Sequence, residues 1–361
     1  MSTASKIFTP AVFGALEPRN RLVMAPLTRI RAGADGVPGD LLVEYYAQRA
    51  SMGLIVTEGT WPVAEGRTWI GQPGIETPAQ VEGWRRVADA VHGAGGTIVM
   101  QVMHGGRISH PEITGTGRTV GPSAVAAPGE IRVPDGKAAL PVPHELTVAE
   151  IGQAVAGFAA AARNAIEAGL DGVEVHGANG YLIHEFLSPA SNLRDDEYGG
   201  TPAKRARFAI EVVTAVAAAI GADRTGIRIS PEHNIQGALE TDADDVLATY
   251  LALADGLAPL GLAFVDVLHA DPAGALIQKI RGAVAAPVIV NTGFGVVTTR
   301  EEAIRLVEED HAEAVAVGRA AIANPDLAER WAHGHGENDI DSSTFYAGGA
   351  RGYTDYPALR S

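Results

Sequence analysis

An α/β fold, specifically a (β/α)8 TIM barrel, is predicted by three observations. Short β-branched runs recur along the chain, each is followed by a stretch with helical spacing, and glycine turns close the last two units. The strand candidates are residues 21–26, 54–59, 97–102, 172–176, 226–230, 264–269, 287–291 and 314–318. Helical spacing is clearest over 79–94, 148–168, 203–220, 243–259 and 300–309. Thr147-Val-Ala-Glu150 reads as a capping box, and Gly169 and Gly221 stand where helix C-termini favour a left-handed residue. A doubly wound sheet is the competing arrangement. Eight repeats, with no Gly-x-Gly-x-x-Gly after the first strand, weigh against it.

Two segments fall outside the repeat. Residues 7–20 predict a short apolar plug or hairpin at the bottom of the barrel. Residues 105–146, after the third strand, are too long and too rich in Gly and Pro for an ordinary βα loop. Within them Glu130-Ile-Arg-Val, Pro-Asp-Gly and Lys137-Ala-Ala-Leu-Pro predict a β-hairpin on the catalytic face, placed to act as a lid or as a surface decoration. No linker or internal repeat divides the chain, so residues 1–361 are expected to form a single domain.

Composition narrows the function. The 361 residues are 46% hydrophobic and 20% charged, enough to bury a large core. Lys and Arg number 28 against 43 Asp and Glu, a net charge of -15 that opposes binding to nucleic acid or anionic lipid. There is no cysteine, which excludes disulfides, thiolate zinc sites, iron–sulfur clusters and a cysteine nucleophile. No signal peptide is read at the N-terminus, and the alanine-valine run 209–220 is broken by Glu211 and Thr214, so a cytoplasmic protein without a membrane span is expected.

Polar residues cluster where strands end, the catalytic face of such a barrel. In Gly172-Val-Glu-Val-His176 the valines are expected to face the helices, leaving Glu174 and His176 inside. The same reasoning adds Thr28, Gln101, His104, Arg228 and His269, a mouth rich in donors and poor in carboxylates. It suits a hydrogen-bonding heterocycle better than a metal ion. Beyond strands seven and eight, Asn291-Thr-Gly-Phe-Gly295 and Val317-Gly-Arg319 predict a backbone phosphate cradle formed with Gly293, Phe294, Gly295 and Gly318, to which Arg319 would add a charged fork. A ligand with one phosphate and a polar ring, flavin mononucleotide (FMN), meets these demands.

Further motifs span the chain in order. They are Asn20-Arg-Leu-Val-Met-Ala-Pro-Leu-Thr-Arg29, Gln101-Val-Met-His-Gly-Gly-Arg107, His176-Gly-Ala-Asn-Gly-Tyr-Leu182, and the segment from Phe186 to Gly200. Arg228-Ile-Ser-Pro231, Val317-Gly-Arg-Ala-Ala-Ile-Ala-Asn-Pro325 and Gly352-Tyr-Thr-Asp-Tyr-Pro357 complete the set. On these the sequence resembles the Old Yellow Enzyme family, in the classical branch near pentaerythritol tetranitrate reductase and morphinone reductase.

That resemblance implies non-covalent FMN held by Ala25, Pro26, Thr28, Gly59, Gln101 and Arg228 as well as the phosphate turns. It implies NADPH or NADH as hydride donor in a ping-pong cycle. The substrates would be activated alkenes: enones, enals, maleimides or nitroalkenes. His176 and Asn179 would hold the carbonyl or nitro oxygen, Tyr181 would supply a proton to the α-carbon, and Trp69 and Tyr353 would contact substrate. Arg228 has a second reading, an internal ion pair with Glu174. Trp69 and Met103 depart from the tyrosine and tryptophan common in the branch, which leaves substrate size and stereochemistry open. Reductive attack on nitrate esters or nitroaromatics is the alternative in the same pocket. A metal hydrolase using His104, His176 and His269, and a flavin-storage protein, are the more distant ones. Partners are expected to be small molecules only, for a monomer or homodimer.

Overall fold

In a computed structural model that describes residues 5–293, 295–346 and 348–359, eight parallel strands close into a barrel. The strands are β1 (Leu22–Met24), β2 (Leu54–Val56), β3 (Ile98–Val102), β4 (Gly172–Gly177), β5 (Thr225–Ile229), β6 (Phe264–Leu268), β7 (Val288–Asn291) and β8 (Ala314–Val317). Each pairs with its sequence neighbours, and β8 returns to β1 with Met24 opposite Val317. A helix follows each strand: α1 (Asp40–Ala47), α2 (Pro78–Gly93), α3 (Val148–Glu167), α4 (Pro202–Ile220), α5 (Ala243–Leu257), α6 (Ala275–Ala283), α7 (Arg300–Glu308) and α8 (Leu327–His333). Among the described residues no helix is long and apolar enough to cross a membrane.

Strand alternation explains the two hydrophobic layers. Val173, Val175, Val265, Val267, Val288 and Val290 point outward into the core shared with the helices. Val23, Leu54, Val56, Val99, Phe264 and Ile289 fill the barrel itself. Gly226 is obligatory here, because a Cβ would stand 2.5 Å from the Phe264 ring. The capping box at Thr147 is present, and Thr77 with Gln80 forms a second one on α2. Gly169 and Gly221 have φ of +89° and +99°, as their places after α3 and α4 require.

The plug forms as expected. Phe13 and Leu16 bridge in a tight antiparallel turn and pack on the barrel-filling residues from below. Above the barrel, Glu130–Val133 and Gly136–Ala139 form an antiparallel hairpin, with Val133 opposite Gly136 across the Pro-Asp-Gly turn. Its apolar face, Ile131 and Val133, packs on Ile113 and against Trp69. The plug covers the N-terminal end of the barrel, and the larger cavity opens at the other, where the strands end.

Candidate active site

At the C-terminal end of the strands lies a cavity of about 760 Å³, within the range of small-molecule and cofactor sites. Ala25, Pro26 and Thr28 line it from the loop after β1, Gln101 from β3 and Met103 just beyond it, His176 from β4, and Asn179 and Tyr181 from the turn after β4. Arg228 enters from β5, Asn291 from β7 with Gly293 just beyond it, and Gly318 and Arg319 from the turn after β8. Trp69, Arg132 of the hairpin, Phe345 and Tyr346 form the outer wall.

The floor is built around Arg228, which is 2% exposed. Its Nη1 donates to the Asp266 carboxylate on β6, Nη2 donates to Asn291 Oδ1 at 3.3 Å, and Nε is buried without a protein partner. Asn291 is oriented in turn by donating to the Ala316 carbonyl at 2.7 Å. Beside this group Gln101 donates to Glu174 Oε1 at 2.8 Å. Burial, then the neighbouring Asp266, pushes the Glu174 carboxyl up to about 8, against the pull of Arg228 and Gln101. Burial also raises Asp266, while Arg228 pulls it down. At neutral pH the two carboxyls therefore hold one proton between them and one negative charge, which balances the guanidinium.

The turn after β4 presents the other functional groups. Asn179 has φ of +59°, a left-handed conformation uncommon outside glycine, and Gly180 follows at +79°. The Asn179 N–H donates to Ser230 Oγ at 2.8 Å, and its carbonyl accepts from Gln236 Nε2 at 2.6 Å. That grip leaves the carboxamide free to face the cavity, where Oδ1 is buried without a protein partner. His176 Nδ1 is likewise buried and unpartnered. Burial, with the Arg228 cation and His184, drives the His176 pKa well below the usual imidazole value, so the ring is neutral. Tyr181 stacks obliquely near it, ring centroids 5.4 Å apart. Burial pushes its phenol up to about 12, tempered by Gln236 and Trp69, so it keeps its proton. A neutral imidazole, a carboxamide and a protonated phenol thus converge on one cavity above a buried cation.

Several expectations need correction. Tyr353 does not line the cavity. It is fully buried, stacked on Tyr45 at 4.0 Å, with the guanidiniums of Arg29 and Arg31 over its ring at 4.9 and 4.4 Å. Phe345 and Tyr346, from the same C-terminal segment, take the wall position instead. Gly59 is also set back. Its carbonyl accepts from Gln72 at 2.8 Å, and Met103 covers it so closely that a Cβ would meet the Met103 sulfur at 2.7 Å. Gly295 is exposed and off the cavity wall, and Phe294 lies outside the described residues.

His104 and His269 point away from the mouth. Burial drives His104 down to about 4 beside Phe158, and His269 sits 3.3 Å from Glu232 on the rim. Arg228 pairs with Asp266 rather than Glu174, and the interior is not poor in carboxylates. Asp266 was legible. The alternation that puts Phe264 inside puts Asp266 inside as well.

Against known proteins, residues 6–338 match the family model described as NADH:flavin oxidoreductase / NADH oxidase. The chain belongs to that family. A protein of Leishmania infantum, described as a probable flavin mononucleotide-dependent alkene reductase, is 43% identical over 99% of this chain and all of its own length. Among solved structures, the old yellow enzyme homologue of Zymomonas mobilis superposes with a TM-score of 0.92 at 39% identity, covering 98% of this chain and 100% of its own. Morphinone reductase in complex with tetrahydroNAD gives 0.91 at 41% identity, covering 98% of each chain. The protein is thus an Old Yellow Enzyme homologue, an FMN-dependent oxidoreductase that draws hydride from a reduced nicotinamide. The cavity itself fits the cofactor. The unpartnered Arg228 Nε suits an anionic ring edge, and glycines at the ends of β7 and β8 leave backbone open to a phosphate.

Proposed function

We propose that this oxidoreductase reduces the C=C bond of activated alkenes, enones, enals, maleimides and nitroalkenes among them, in alternating nicotinamide and alkene half-reactions. Bound FMN would supply the redox chemistry, accepting hydride from the nicotinamide and passing it to the alkene β-carbon. Ala25, Pro26, Thr28, Gln101 and Arg228 would hold its ring, and Gly293, Gly318 and Arg319 its phosphate. Arg228 would favour negative charge on that ring.

His176 and Asn179 would donate to the carbonyl or nitro oxygen, where charge grows as the β-carbon takes hydride. Donors aimed there stabilise the transition state more than the ground state. The neutral imidazole still carries one N–H, and so can donate to that oxygen. Tyr181 would deliver its proton to the α-carbon. Trp69, with Phe345 and Tyr346, would shape the space available to the substrate, and the hairpin carrying Arg132 would serve as a lid. The observation that carries this reading is the convergence of His176, Asn179 and protonated Tyr181 on a cavity floored by Arg228.

The test is an anaerobic absorbance titration of the flavin band. NADH or NADPH should bleach it, and an enone, maleimide or nitroalkene should restore it with a saturated product. A flavin that neither nicotinamide bleaches would leave only storage. Nitrite release from nitro compounds with no alkene reduced would replace this reading with attack on the nitro group.

A further inference from the structure

We infer that His184 is a positioning residue for the His176–Tyr181 turn, with Glu240 fixing the imidazole in the one tautomer that can hold it. The catalytic consequence rests on the alkene-reductase reading above, whereas the hydrogen bonds stand independently of it.

His184 lies on the short helix Leu182–Leu187, is fully buried, and does not reach the cavity. The Gly180 N–H donates to its Nδ1 at 2.9 Å. Accepting that bond requires a lone pair on Nδ1, so the ring hydrogen belongs on Nε2. Nε2 stands 3.3 Å from Glu240 Oε1, an ion-pair contact whose angle falls short of a hydrogen bond. Glu240 is 3% exposed and fixed from two further sides, accepting from Tyr250 Oη at 3.0 Å and from the Glu232 N–H at 2.8 Å. Burial works to raise the Glu240 carboxyl, but His184, Glu232 and Tyr250 together hold it below the usual carboxylate range. It is thus an anion at neutral pH and selects the Nε2–H tautomer.

The turn needs such a grip. Asn179 and Gly180 are consecutive left-handed residues, in a region that residues other than glycine rarely occupy and that asparagine tolerates better than most. A side chain at Gly180 would meet the Ile235 carbonyl at 2.8 Å, so the backbone runs against its surroundings. The peptide between these residues is held at both ends, its carbonyl by Gln236 and its N–H by His184. That peptide plane sets the directions in which Asn179 and Tyr181 leave the backbone. A shift of about 1 Å in such groups can cost on the order of a hundredfold in rate. His184 touches neither cofactor nor substrate and would act only through this plane.

Two variants separate positioning from packing. His184→Asn places an amide oxygen near Nδ1 and can still accept from Gly180. His184→Gln places its amide near Nε2, can still meet Glu240, and leaves Gly180 without an acceptor. With the FMN-loaded enzyme, His184→Asn should retain enone turnover within about threefold of wild type, whereas His184→Gln should lose about 10- to 100-fold. Equal losses, or better activity in the glutamine variant, would overturn the proposal.

Nitrogen-15 NMR of the histidine-labelled wild-type holoenzyme gives a second reading that needs no variant. A pyridine-type Nδ1 and a protonated Nε2 at His184 are expected, and a proton on Nδ1 would refute the mechanism. The NMR result stands even if the wild type fails to reduce any enone. Failure of the proposed function and failure of this inference are therefore distinguishable.

Discussion

At the cavity floor Arg228, Asp266 and Glu174 share one proton and a balanced set of charges. Such an arrangement resists single substitutions. In Asp266→Asn the neighbouring anion is lost, so Glu174 can ionise and take over the neutralisation of Arg228. In Glu174→Gln the Asp266 pair is untouched. Each single variant should therefore cost little, about 1–2 kcal/mol. The double variant leaves a buried guanidinium without an anion and should cost about 3–5 kcal/mol. Urea unfolding of the apo-protein measures this, and additivity of the singles would contradict the shared-proton account. Tyr181 supports a second prediction. Its phenol is pushed up to about 12, so it remains a proton donor throughout the ordinary working range. Tyr181→Phe should slow alkene reduction about 100-fold while leaving nicotinamide oxidation within about twofold. Stopped-flow measurement of each half-reaction over several alkenes checks it, since water can substitute for the phenol with some of them. Equal losses in both halves would remove the proton-donor role.

At the scale of elements, the hairpin over the mouth is held by a small cluster, Ile113, Ile131 and Val133, with Trp69 packed against it. Ile131 is 2% exposed, and its truncation to alanine should weaken that docking by about 2–4 kcal/mol without touching the barrel core. The expected outcome is faster proteolysis between residues 130 and 139, a several-fold rise in KM for the alkene and unchanged FMN content. An unaltered KM despite faster cleavage would make the hairpin a decoration. This element was legible in the sequence because Pro134-Asp135-Gly136 marks a turn between two short strands, and the structure places that turn there. Several barrel strands were legible for a similar reason, since β-branched residues recur on their helix-facing side with period two, as at Val173 and Val175, Val265 and Val267, and Val288 and Val290. Alternation also accounts for two misplaced histidines. With Val99 and Gln101 inward, Met103 follows inward and His104 turns out, and His269 is out of phase with Phe264 and Asp266. The C-terminal segment has no such period. Its motif gave the neighbourhood, but only packing decides that Tyr353 is locked between Tyr45 and two arginines while Phe345 and Tyr346 face the cavity.

Taken as a whole, the molecule buries ionisable groups whose pH responses oppose one another. Burial pushes Glu174 and Glu185 up to about 8, from an ordinary value of 4.5, and Glu58 up to about 6. A carboxyl raised by folding binds its proton more tightly in the native state. Its contribution to stability is complete below about pH 4.5 and fades as pH climbs toward 8. Buried His104, driven down to about 4, and His176, driven well below 6.5, act in the other direction. The unfolded chain protonates them below about 6.5 and the folded chain resists, so their contribution is intact above that pH and fades toward 4. The two losses overlap between these limits. Three carboxyls losing stability outweigh two imidazoles regaining it, so thermal stability of the oxidised holoenzyme should peak at about pH 5 and fall on both sides. Glu185 offers a clean handle on the alkaline side. It is buried outside the cavity, accepts from the Arg107 N–H at 2.9 Å, and has no part in the proposed chemistry. Glu185→Gln keeps an acceptor for that bond and removes the ionisation, so the decline in Tm between about pH 6 and about pH 9 should become shallower while the acid side is unchanged. A parallel curve, displaced but equally steep, would show that Glu185 does not titrate in that window and that the alkaline loss arises elsewhere.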